Sequence, residues 1–172
     1  MIIKKNLPIL YCYMDGVICN FHKQAEKATG MTILEWMREP GRVFKSIRDK
    51  WKPIKNYPNF WETMPWQPGG QHLWNFLRKY QPRILSAYVE QSTDPNCIPG
   101  KTAWARRNLG VVKYVHLVKR IQKQNYAMTG GSPCILIDDY KKNINQFTAR
   151  GGIGILYTNT GNTIAQLRKL GF

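Results

Sequence analysis

Asp15, Ser86, Lys101 and the neighbouring pair Asp138 and Asp139 all stand where an apolar run ends or a helix begins. The first run, Pro8-Ile9-Leu10-Tyr11-Cys12-Tyr13-Met14, opens on Asp15 and then Gly16-Val17-Ile18. That pattern reads as a buried strand releasing its chain into a tight turn, and in open α/β sheets chemistry gathers at the strands' carboxyl ends. Ser86 closes Ile84-Leu85-Ser86-Ala87; its hydroxyl and nearby backbone N–H groups could hold a phosphoryl oxygen, and the plainer reading is a turn former. Lys101 follows Pro99-Gly100 at the expected start of a helix. A cation in a first helical turn opposes the helix dipole, which suggests a functional pull on it. Lys119 and Lys123 are the fallback lysines. Asp138 and Asp139 follow the apolar run Cys134-Ile135-Leu136-Ile137. Two adjacent carboxylates repel unless a cation or partner offsets them, so a hard-metal site is one explanation, with Asp138 the better ligand and Asp139 a second ligand or an orienting group. The alternative is an Asp pair capping the following helix.

These residues need a sheet to bring them together. Strand-like apolar runs fall at 9–12, 83–87, 114–118, 134–137 and 153–157, and helical patterns at 71–80, 101–109, 141–150 and 163–170 separate most of them. Alternation of this kind predicts a parallel sheet covered on both faces. The interval 20–65 holds helical pieces at 21–29, 33–38 and 43–51 with Pro and Gly breaks and no convincing strand; an insertion there would lie over the carboxyl edge of the sheet as a lid. The expected organisation is a core of residues 1–19 and 67–172 with a cap of residues 20–66. A chain of 172 residues suits one such compact unit.

In this order and spacing, the motifs resemble those of the haloacid dehalogenase (HAD) phosphatases over nearly the whole chain. That family's first motif is Asp-x-Asp-Gly-Val after a hydrophobic strand, and here Tyr13 stands at the first Asp. The resemblance implies an α/β, HAD-like (Rossmannoid) parallel sheet with a small helical cap inserted after the first strand. It also implies a Mg²⁺-dependent phosphatase acting through a phospho-aspartate. Position 13 is then the nucleophile's, Asp15 the general acid and base and a metal ligand, Ser86 and Lys101 the phosphoryl-binding groups, and Asp138 and Asp139 the remaining metal ligands. The 5′(3′)-deoxyribonucleotidase branch, including phage-encoded relatives, is the nearest likeness. It rests on Asp15-Gly16-Val17-Ile18-Cys19-Asn20-Phe21, the helical insertion, Phe60-Trp61-Glu62 before Pro68-Gly69-Gly70, and Gly100-Lys101-x-x-Trp104. In that branch aromatics stack on the nucleobase, which implies substrate roles for Phe21, Phe60 and Trp61, with Trp66 a further candidate. Packing within the cap is the plainer reading of the last three.

A tyrosine cannot simply replace the aspartate. Its oxygen lies several bonds farther from the backbone, and with an ordinary pKa of about 10 it is mostly neutral near pH 7. The expectation is a chain nearly inactive as a nucleotide phosphatase, either a variant of an active enzyme or a natural pseudoenzyme. The formal charge of +16 supports an alternative, a basic nucleic-acid-binding pseudoenzyme or a polynucleotide end phosphatase on the same fold. Twelve Lys/Arg lie from 101 onward against Asp138 and Asp139 alone, but they are dispersed, which also fits a solvated face or steering of a nucleotide or other phosphorylated small molecule. Cys12, Cys19, Cys97 and Cys134 form no C-x-x-C pair and read as buried free thiols. With no membrane-length apolar stretch and no signal-peptide pattern, the expected location is the cytoplasm, a host's if the chain is phage-encoded.

Overall fold

The computed structural model of the chain describes residues 6–38, 44–110 and 112–172. In chain order it runs β1 (Leu10–Cys12), α1 (Phe21–Thr29), α2 (Ile33–Trp36), α3 (Ile47–Asn56), α4 (Gly70–Leu77), β2 (Arg83–Ala87), α5 (Cys97–Leu109) and β3 (Val115–Val118). A 3₁₀ segment, Arg120–Tyr126, leads to a small hairpin of β4 (Met128–Thr129) and β5 (Ser132–Pro133), and then β6 (Ile135–Asp138), α6 (Lys141–Ala149), β7 (Ile153–Leu156) and α7 (Thr160–Lys169) complete the chain. Residues 39–43, including the expected helix start at Val43, and residues 1–5 of the expected core lie outside the described residues.

The five longer strands form one parallel sheet in the order β3-β2-β1-β6-β7. Tyr11 pairs with Leu136 on one side and Arg83 on the other, which places β1 at the centre. From β1 the chain crosses first to β2 and β3 and later to β6 and β7 on the opposite side. This reversal of strand order opens a crevice at the carboxyl ends of β1 and β6. Side chains alternate across the sheet. Leu10 and Cys12 enter the larger core with residues of α1, α4, α5 and α7, whereas Tyr11, Leu85 and Leu136 pack beneath Phe147 of α6. The HAD-like architecture expected from the motifs is the architecture found.

Two departures have local causes. α5 begins at Cys97, one turn before its expected start. Pro99 is then the third helical residue, where its missing N–H would have had no intrahelical partner, so Pro99-Gly100 does not break the helix. Lys101 therefore sits in the second turn, and the dipole argument for it does not hold. The β4–β5 hairpin was not expected from the sequence; Gly130 and Gly131, at φ +57° and +78°, make the two-residue turn that only such residues adopt readily.

The helices between β1 and α4 form the cap. Capping sets their starts: the Asn20 side chain accepts from the Lys23 N–H, and Thr32 and Glu35 form a reciprocal capping box. Inside, Phe21, Trp36, Trp51, Phe60 and Trp61 pack on one another at centroid distances of 4.9 to 6.3 Å. Trp104 of α5 fastens this layer to the core, its indole Nε1 donating to the Met64 carbonyl at 2.7 Å and its ring meeting Trp66 edge-on at 5.0 Å. Trp104→Ala removes a fully buried ring and leaves that carbonyl unpaired. It is expected to cost about 3 to 5 kcal/mol, whereas Leu34→Ala, at a residue 76% exposed, should stay within about 0.5 kcal/mol of the parent. Urea unfolding of the two variants checks this.

Candidate functional site

β1 ends in a turn that presents Asp15. The Met14 carbonyl accepts from the N–H groups of Val17, Ile18 and Cys19, and Gly16 returns its own N–H to Cys19. Gly16 holds φ +79°, and a Cβ built on it would lie 2.0 Å from Asp139 Oδ2. Only glycine allows the second carboxylate so close to the turn.

Around this turn the sheet's carboxyl edge gathers residues far apart in sequence. Lys101 Nζ donates to Asp15 Oδ2 at 2.6 Å, to Ser86 Oγ at 3.2 Å and to the Ala87 carbonyl at 2.7 Å. Lys123 Nζ donates to Asp138 Oδ2 at 2.6 Å and lies 3.2 Å from the centroid of the Tyr13 ring. The Tyr13 hydroxyl donates to Asp15 Oδ2 at 3.3 Å. Asn143 Nδ2 donates to Asp138 Oδ2 at 3.0 Å, and Asp138 Oδ1 takes the Tyr140 N–H at 2.9 Å. Lys101, Lys123, Ser86 and Asp138 are all buried to 1% exposure or less. Each ammonium is thus matched to a carboxylate, as desolvated charges must be.

The third carboxylate has no such partner. Burial, and then the charges of Asp138 and Asp15, push the Asp139 carboxyl up to about 7, against a smaller opposing pull from Lys123. Burial and the same three carboxylates raise the Tyr13 phenol well above its ordinary value, so it is a neutral donor. Burial pulls the Lys101 ammonium down, but the charge and hydrogen bond of Asp15 together with the nearby Cys97 and Cys19 outweigh it and hold the pKa above the usual lysine value. At Lys123 burial wins over Asp138, and the pKa is lowered.

The sequence-derived candidates Tyr13, Asp15, Ser86, Lys101, Asp138 and Asp139 are therefore one cluster. Of the two fallback lysines, Lys123 belongs to it, while Lys119 points outward to Glu90 at 3.1 Å. Lys123 comes from the 3₁₀ segment after β3, whose only sequence signal is that it follows the carboxyl end of a strand. The Asp pair does not cap α6: its N-cap is Tyr140, with no side-chain cap. The cap aromatics chiefly fill the cap. Phe60 and Trp61 are each 2% exposed, and Phe21 stacks on Trp61 at 5.7 Å with planes 25° apart. Trp61 also touches the polar cluster, with Lys101 Nζ 5.1 Å from its ring centroid, and its Nε1 donates at 2.7 Å to Asp94, a buried carboxylate not singled out from the sequence. A cleft of about 490 Å³, lined by Tyr57, Phe60, Trp61, Glu62, Asp94 and Gly100 among others, meets the cluster only through Trp61 and through Gly100, the chain neighbour of Lys101.

Oxygen donors free for a cation are fewer than the three carboxylates suggest. Asp138 is committed to Lys123, Asn143 and a backbone N–H, and among the described residues no three His, Cys, Asp or Glu side chains are close enough together to hold an ion. Asp15 Oδ1 is buried with no partner, and Asp139 is crowded by like charge. Two carboxylates with the remaining positions left to water and a phosphate suit Mg²⁺, so the residues fit that ion through Asp15 and Asp139.

No family model matches the chain, and no curated protein matches it by sequence. Its structure is similar to the crystal structure of a hydrolase from Streptococcus pneumoniae TIGR4, with a TM-score of 0.50 and 13% identity, over 96% of this chain and 98% of that one. The likeness at that identity is one of fold. No helix among the described residues is long and apolar enough to cross a membrane.

In a chelating buffer, stability should depend on Asp139. Its carboxyl holds a proton to about pH 7 in the folded protein and only to about pH 4 unfolded. The unfolded state therefore releases that proton first as pH rises, and folding stability should fall between these values. Melting curves from pH 4 to 8 are expected to show this decline, and Asp139→Asn to flatten it. Parallel profiles for the two proteins would remove the assignment.

Proposed function

We propose that the cluster is the phosphomonoester site of a HAD-type phosphatase, with Tyr13 standing where the nucleophilic aspartate would act. The observation that carries this reading is the meeting of Asp15, Ser86, Lys101, Lys123 and Asp138 around Tyr13 at the carboxyl ends of adjacent parallel strands. The shared fold with a hydrolase supports it. Ser86 and the two ammonium groups suit the oxygens of a phosphoryl group, whose charge they would offset in a water-poor setting. Asp15 lies where it could give a proton to the departing oxygen, and Lys101 keeps it oriented.

Substrate choice and cofactor follow from the same neighbourhood. The likeness to deoxyribonucleotidases makes a nucleoside monophosphate the favoured substrate class, and a cleft of nucleotide size, lined in part by Tyr57, Phe60 and Trp61, adjoins Trp61, which touches Lys101 of the cluster. Phe60 and Trp61, which line that cleft, would border the base through their exposed edges, whereas Phe21 packs inside the cap. Asp15 and Asp139 would hold Mg²⁺, which would offset charge developing on the phosphoryl oxygens.

In this chain the phenol blocks the reaction. The Tyr13 ring fills space over Lys123, its hydroxyl is held as a neutral donor to Asp15, and position 13 itself offers no carboxylate. With an aspartate at 13, the carboxylate oxygen would form the bond to phosphorus as the ester bond breaks and Asp15 protonates the alcohol. Water would then cleave the acyl phosphate, returning the proton to Asp15.

Tyr13→Asp is expected to release inorganic phosphate from nucleoside monophosphates in a Mg²⁺-dependent way, and the parent chain to release little or none. Lys101→Ala in the Tyr13→Asp background should lower kcat by about 10²-fold or more. A phosphate-release assay across nucleoside monophosphates decides this; equal activity with Tyr and Asp at position 13 would overturn the role given to that position.

A further inference from the structure

Acidic residues are confined to the cap and to the site's edge of the sheet. Residues 63–89, 95–137 and 140–172 contain no Asp or Glu, so α4, α5, α6 and α7 carry none. On the α4, α5 and α7 side this leaves four clefts, of about 280 to 430 Å³, in an unbroken series. The cleft between α7 and α4 shares Asn75 with the next, which shares Trp74 and Arg78 with a third, which shares Val112 and Lys113 with the fourth, beside α5 and β3. Each contains at least one exposed cation, in order Arg168, Arg78, Lys113 and Arg106, and none is lined by a carboxylate. Among the described residues none of these four cations forms an ion pair. By contrast, Arg107 and Lys119 are paired with Glu62 and Glu90, and Arg120 donates to Asn143 and Gln146. The fold thus ties down part of the dispersed positive charge and sets part of it along the track of these clefts, while Lys141, Lys142, Arg150 and Lys169 stand exposed elsewhere.

We propose that this track binds a single-stranded polynucleotide along its sugar-phosphate backbone. A small phosphate ester would occupy one cleft, whereas four adjoining clefts that together present four cations without ion pairs suit a polymer carrying a charge per unit. The four clefts are separate hollows that share lining residues, and a flexible strand can bend from one to the next where a stiff duplex cannot. The track includes the segments preceding β2 and β3, at the sheet edge opposite the Asp15 cluster. Binding is therefore independent of the phosphomonoester reading and of position 13.

The test is fluorescence anisotropy of the full chain with a labelled oligothymidylate of about 20 nucleotides in about 50 to 200 mM salt. Four phosphate contacts on a single strand predict a log–log salt slope near about −3, so affinity should fall by about 50-fold over that range. Reversal of the track charges (R78E, R106E, K113E, R168E) is expected to weaken binding by at least about tenfold and to remove most of that slope. Reversal of four exposed cap lysines (K23E, K27E, K45E, K52E), an equal change in net charge, should cost less than about threefold. The milder R78Q and K113Q pair, whose folding is checked by its melting curve, should remove about half the slope, and Tyr13→Asp should leave binding unchanged. Equal losses from track and cap reversals, tighter binding of a duplex of the same length, equal competition by polyglutamate, or no binding at about 50 mM salt would each overturn the proposal.

Discussion

Charge removed from water must be paired, and the carboxyl edge of this sheet is organised around that requirement. Lys101 and Lys123 are buried to 1% exposure, and each closes on one carboxylate at 2.6 Å. Removing one member of such a buried pair leaves a charge whose desolvation nothing offsets, a loss of about 3 to 5 kcal/mol. The pairs bind distant elements together. Lys101 ties α5 to the β1 turn and the end of β2, and Lys123 ties the 3₁₀ segment after β3 to the end of β6. Asn143 and Arg120 extend the second pair into α6.

Tyr13 alters the balance of this group. Two ammonium groups face three carboxylates, so the Asp139 carboxyl, buried and without a cation of its own, rises to about 7 through burial first and then the like charges of Asp138 and Asp15. A fourth carboxylate at position 13 would deepen that excess and call for a bound cation. The phenol instead offers the face of its ring to Lys123 and its hydroxyl to Asp15. Cation–π attraction of this kind is worth about 2 kcal/mol when desolvated. With Tyr13 the pocket's charges largely compensate one another, which fits the proposed absence of phosphatase chemistry in this chain.

Polarity is divided between the two ends of the molecule. Carboxylates cluster near the cap and at the carboxyl edge, where they meet lysines, while the helices flanking the sheet carry only cations and neutral groups. The cap aromatics show a similar economy of position. Phe60 and Trp61 are first a hydrophobic layer, and only the contacts of Trp61 with Lys101 and Asp94 connect that layer to the polar cluster.

The sequence by itself determined the order of the five sheet strands and the helices between them, though not the β4–β5 hairpin, because short apolar runs and helical apolar spacing are local properties that a parallel sheet must satisfy. It also determined that Asp15 follows a strand while Ser86 and Asp138 stand at the ends of two others, and a parallel sheet then puts all three at one edge. What it left open was decided by packing at a distance. Whether Lys119 or Lys123 turns inward depends on the path of a 3₁₀ segment with no apolar period to read, and the start of α5 depends on a proline that only helix context makes harmless. The commitment of Asp138 to Lys123 and the solitary state of Asp139 likewise follow from distances between residues far apart in the chain. Electrostatic pairing in a buried site is a property of three-dimensional proximity, and no spacing along the chain encodes it.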